Sequence, residues 1–125
     1  MKVIVWHDHI TRQLLREHPN DVWLFGDNLL HVGLGGMAKE MRGEPNAIGI
    51  PTKVKPTMDE DAFFHDTDYD WVVDLLDGIL YVVKRVAIER SGNIIVPYGI
   101  GMGLAKLQEK APKIYKALKD KLAAL

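Results

Sequence analysis

The chain has 125 residues, 47% hydrophobic and 26% charged, with a formal net charge of −1 and no cysteine. That length suits one domain with a real core and no staples, and the missing thiols exclude a disulfide framework, a thiolate nucleophile and a thiolate metal site. A near-neutral chain gives no global argument for nucleic acid or a membrane surface, so any bound anion must be held by local geometry.

No stretch approaches the ~20 apolar residues that span a bilayer. The apolar run within Met1–Trp6 is too short for a signal peptide. The expectation is a cytoplasmic protein with no membrane or nucleic-acid partner.

Val3 to Trp6 is a β-branched run and reads as a strand. Thr11 to Glu17 suits a short helix, and Pro19-Asn20-Asp21 breaks the chain. Val22-Trp23-Leu24-Phe25 is continuously apolar, as in a strand covered on both faces. Gly26-Asp27-Asn28 ends it. The loop Gly33-Leu34-Gly35-Gly36 leads into a helix over Met37–Arg42, which Gly43 stops. Asn46 to Pro51 is a third strand. Thr52 to Asp66 reads as a loop, with a short strand at Ala62-Phe63-Phe64. Asp68 is placed to cap the longest helix, Tyr69 to Arg90, which Ser91-Gly92 ends. Asn93 to Pro97 is the last strand, followed by the loop Tyr98–Gly103. A final helix spans Leu107 to Leu122, with Pro112 early in it. Alternating strands and helices predict one domain over residues 1–125. The expected fold is three-layer α/β/α around a mixed, mostly parallel sheet. Right-handed crossovers put the loops after the strands on one edge, where ligands of open α/β sheets bind.

Both glycine loops follow an apolar strand and precede a helix. Glycine admits positive φ and close approach of a ligand. Such loops turn amide N–H groups toward one anion, and the following helix adds its positive end. The plainer explanation is a tight turn and a packing contact, but two such loops on one edge make a clamp for a diphosphate or ribose-phosphate. Neither carries the lysine-serine or lysine-threonine ending of a Walker A loop. Asn28 has the donor and acceptor that a sugar hydroxyl pair requires, and Asp27 serves as a general base if apolar walls raise its pKa. An Asx turn leaving the strand is the plainer reading of both residues. His7 and His9 point the same way on an extended segment, but no third metal ligand is placed. Arg42, Thr52 and Lys53 are anion contacts or solvated surface.

With these pieces in order, the chain resembles the macro domain, an ADP-ribose-binding α/β family. His7-Asp8-His9-Ile10-Thr11 is similar to the family's Gly-Asp-Ile-Thr stretch, with histidine in place of glycine; the resemblance assigns adenine to Asp8. Asn28 matches the last asparagine of the family's Asn-Ala-Ala-Asn segment, which contacts the distal ribose. Gly33-Leu34-Gly35-Gly36-Met37-Ala38 is similar to the loop that wraps that ribose. Gly99, Ile100, Gly101, Met102 and Gly103 match its phosphate-binding loop. Thr52 to Asp68 has no counterpart. The chain is shorter than a usual macro domain and looks most like compact bacterial and phage members. The resemblance implies binding of ADP-ribose or a related NAD-derived nucleotide, free or on an ADP-ribosylated target, with no resident cofactor. Gly33 belongs to the binding loop, and the amides of Gly35, Gly36, Gly101 and Gly103 would hold the phosphates. Hydrolysis at the distal ribose C1″ would use Asp27 as base and Asn28 to orient the ribose. No glutamate pair follows the first loop, which disfavours the poly-ADP-ribose glycohydrolase type. A non-catalytic sensing or sequestering module uses the same loops, and a structural protein needs them only for packing.

Overall fold

Four apolar runs fold as strands: β1 (Val3–Trp6), β2 (Val22–Asn28), β3 (Ala47–Lys53) and β4 (Ile94–Pro97). Five helices accompany them: α1 (Arg12–Glu17), α2 (Ala38–Met41), α3 (Tyr69–Arg90), α4 (Leu107–Lys110) and α5 (Pro112–Ala123). This is a computed structural model, and it describes residues 1–125.

The strands form one sheet in the order β1-β4-β2-β3. Every pairing is parallel, so the sheet is not mixed. Strands β1, β2 and β3 each run into a crossover rather than a hairpin, and only parallel neighbours result. The one antiparallel contact is an isolated bridge between Lys53 and Phe63, where a short strand was expected.

Alternate residues of each central strand serve opposite faces. Val22, Leu24, Ile94 and Val96 join the larger core with α3 and α5. Trp23, Phe25 and Ile95 join the smaller core with Leu15 of α1 and Ala38 and Met41 of α2. Burial on both faces is why Val22–Phe25 and Ile94–Val96 are continuously apolar. Helices thus cover both sides, as the alternation predicts.

The chain moves from β1 to β2 to β3 in one direction and returns to β4. The first two crossovers pass over the α1–α2 face, and α3 returns over the other. Reversing direction under a right-handed rule must switch faces. Neighbouring strands β4 and β2 therefore send their following segments to opposite sides, which opens a crevice at their carboxyl ends.

Local differences have local causes. The expected Leu107–Leu122 helix is broken at Ala111, because Pro112 disfavours helical backbone in the residue before it and starts α5 as its first residue. Asp66 accepts from the Lys113 and Ile114 amides at 3.0 and 3.3 Å and caps α5 from a distance. Asp68 stands at the N-cap of α3, but its carboxylate accepts from the His65 amide instead. Strand β2 continues past Phe25 to Asn28, so the two polar residues expected in a turn end the strand itself.

Gly92 touches backbone: a Cβ there would run into the Asn20 carbonyl. Gly78, on the exposed side of α3, has open space. Gly92→Ala should therefore destabilise by about 3 kcal/mol, the upper end for overpacking. Gly78→Ala should stabilise by about 1 kcal/mol. Urea denaturation of the two variants checks both signs.

Candidate functional site

The segments after β2, β3 and β4 enclose one cleft of about 600 Å³ at the carboxyl edge of the sheet. Gly33, Gly35 and Gly36 line one wall, and Gly99, Gly101 and Gly103 the facing one. The loops touch. A Cβ on Gly35 would come within 3.3 Å of Leu104 Cδ1, and one on Gly99 within 3.9 Å of Met37 Cε. Gly33, Gly36, Gly101 and Gly103 take positive φ, from 57° to 95°. This is the left-handed region that excludes most side chains.

In the first loop the amides of Gly33, Leu34, Gly35 and Gly36 donate to no protein oxygen. In the second, those of Gly99, Gly101 and Gly103 likewise have none, while Ile100 and Met102 donate to Pro97 and Gly99 carbonyls. Ile100 is buried in the larger core, so it anchors the loop and does not line the cleft. Met102 does line it. The following helices have four residues each, α2 and α4, and their dipoles are correspondingly small. The loop amides, more than the short helix ends, are the positive backbone groups at this edge.

Asp27 is buried on the cleft wall. Arg42 Nη2 donates to its Oδ1 at 2.6 Å, the Asn28 amide to the same oxygen at 2.8 Å, and His31 Nδ1 lies 2.9 Å from Oδ2. Burial pushes the carboxyl pKa up, but the bonds from Arg42, His31 and the Asn28 amide, with the Arg42 charge, outweigh it, and the group sits below its ordinary value. The condition for a general base, apolar walls that raise the pKa, is not met. Gly49 of β3 makes the room, because a Cβ there would collide with the Asp27 carboxylate. Asn28 forms the Asx turn: its Oδ1 accepts from the Leu30 amide at 3.0 Å and its Nδ2 donates to the Val32 carbonyl at 2.8 Å. His31 sits in the left-handed region at φ 56°, held by this turn and by Asp27.

Arg42 and Lys53 are more than solvated surface. Arg42 Nε also donates to the Gly33 carbonyl at 2.8 Å, so the guanidinium joins the end of β2 to the first glycine loop. Lys53 is buried on the cleft. Burial, then the Lys106 charge, hold its ammonium below the usual lysine value. Thr52 Oγ1 donates to the Asp27 carbonyl at 3.3 Å. The sequence signal for Lys53 was its place just past the apolar run Ile48–Pro51, after Thr52. The signal for His31 was its spacing of four from Asp27.

Asp8 lies outside the main cleft. It lines an adjoining depression of about 570 Å³ with His7, His9 and Tyr98, and this shares Gly36, Met37 and Gly99 with the cleft. The His7 ring stacks on Tyr98 at 4.9 Å between centroids.

Fold and site together define an all-parallel α/β protein with two glycine loops across its switch-point crevice. The chain belongs to a family described as one of unknown function, DUF7831, which matches residues 5–121. No curated protein and no solved structure matches it. No helix is long and apolar enough to cross a membrane.

Asp27→Asn should cost about 3 kcal/mol at pH 7, because it leaves Arg42 without its counter-charge. A depressed carboxylate pKa stabilises the fold above the unfolded value of ~3.9, and that contribution is lost as pH falls through the folded value. The gap between wild type and variant in urea titrations should therefore narrow below about pH 4. An unchanged gap at pH 2 would mean that the charge contributes nothing.

Proposed function

We propose that the cleft binds a phosphate-bearing nucleotide, ADP-ribose or a related NAD-derived nucleotide, free or carried on a modified target. The observation that carries this reading is the pair of glycine loops facing each other with unpartnered amides on both walls. Such preorganised N–H groups suit a diphosphate. The adjoining depression, with Asp8 and the Tyr98 ring at its rim, suits a base and is continuous with the cleft through Gly36 and Gly99.

Binding is favoured over hydrolysis at the distal ribose. The Asp27 carboxylate already accepts from three groups, which fits a role in holding the first loop better than that of a base. Both polar atoms of Asn28 are engaged in its turn.

Calorimetric titration with ADP-ribose, AMP, NAD and ribose-5-phosphate tests the reading. ADP-ribose should bind more tightly than its fragments. Gly35→Val, which fills the cleft beside Leu104 Cδ1, should weaken it at least ~tenfold, or about 1.4 kcal/mol, with no loss of fold. No heat and no thermal shift with any of the four ligands would overturn it.

A further inference from the structure

Lys53 ends β3 and is 7% exposed. A buried ammonium is costly unless an opposite charge or a full set of acceptors meets it. Here its acceptors are the Thr57 carbonyl at 2.6 Å, the Met58 sulfur at 3.7 Å and the Leu104 carbonyl at 3.5 Å. Only the first is a full-strength bond by distance. The Phe63 ring adds a cation–π contact at 4.8 Å. No carboxylate pairs with it, and the nearby charge of Lys106 is of the same sign. Lys110 shares the Phe63 ring, but Glu60 matches it at 2.8 Å. The other cation on the cleft, Arg42, is spent on Asp27 at 2.6 Å. The cleft wall therefore carries one positive charge without a partner, beside the second glycine loop.

We propose that Lys53 is the specificity-determining cation of the cleft: its ammonium takes a phosphate oxygen of the ligand at the Thr57–Leu104 end and so selects phosphorylated over unphosphorylated nucleosides. The placement rests on the cleft geometry, and only the nucleotide part of the ligand rests on the function proposed above. The long Leu104 contact is the one an incoming oxyanion would replace. A competing explanation is a clamp, in which the ammonium merely ties the Thr57 segment to the Leu104 turn. A clamp has no use for an anion, and this separates the two.

The experiment uses the full chain as wild type, Lys53→Met and Lys53→Arg. Each is titrated calorimetrically with inorganic pyrophosphate, ADP-ribose and adenosine, and its fold is checked by circular dichroism. Lys53→Met should weaken pyrophosphate and ADP-ribose at least ~tenfold, while Lys53→Arg stays within about threefold of wild type and adenosine binding is unchanged. A folded Lys53→Met that binds both anions as wild type does would overturn the role of Lys53 and leave the nucleotide reading intact. Lys53-dependent binding of pyrophosphate without ADP-ribose would support Lys53 and remove that reading. A wild type that binds neither anion would overturn both. If Lys53→Met does not fold, the Lys53 Cε signal of the wild type is followed by NMR as pyrophosphate is added. A saturable shift supports the proposal, and an unmoved signal overturns it.

Discussion

The ion pair between Asp27 and Arg42 joins two segments that the sheet alone would leave apart. Asp27 belongs to β2, at the centre of the fold. Arg42 follows α2, after the first glycine loop has left the sheet and come back. Its guanidinium holds the carboxylate on one side and the Gly33 carbonyl on the other. A loop of glycines has little stiffness of its own, since each loses more backbone entropy on ordering than other residues. The bonds from Arg42, with the Asn28 turn, supply the anchoring that the loop's composition withholds.

Topology decides where that loop sits. Reversal of the chain after β3 leaves β4 and β2 as neighbours with coverings on opposite faces. Two loops that begin on adjacent strands and leave in opposite directions must part, and a cleft is the space between them. The side chains that bridge it, Leu104 on Gly35 and Met37 beside Gly99, are flexible apolar groups, so the walls meet without locking. The charged residues of the cleft lie at strand ends, Asp27 on β2 and Lys53 on β3, where polar groups can leave the apolar sandwich and still stay covered.

Much of the scaffold was legible in the sequence. Helix α3 matches its expected limits of Tyr69 and Arg90, because a long amphipathic repeat ends at a residue able to enter the left-handed region, Ser91. The two glycine loops were legible as a pair after strands, and the structure brings them together. The partners of polar residues were not. Nothing local links Asp27 to Arg42, fifteen residues away, or makes Lys53 buried rather than solvated, since tertiary contacts decide both. The break at Ala111 was written in Pro112, which the expected helix carries early in its span rather than at its boundary. Dipole help from the helices failed for a related reason: glycine and proline punctuation cut them to a single turn.

Gly49 and Asp27 have a consequence for how this sequence can change over time. The carboxylate occupies the space where any side chain at residue 49 would begin. A lineage that first acquires alanine at 49 must expel a buried, paired charge, whereas one that first shortens residue 27 is then free to fill 49. The order of the two substitutions is therefore constrained. Among relatives of this chain the two positions should be inherited as a unit, with glycine on β3 wherever the acid is kept on β2.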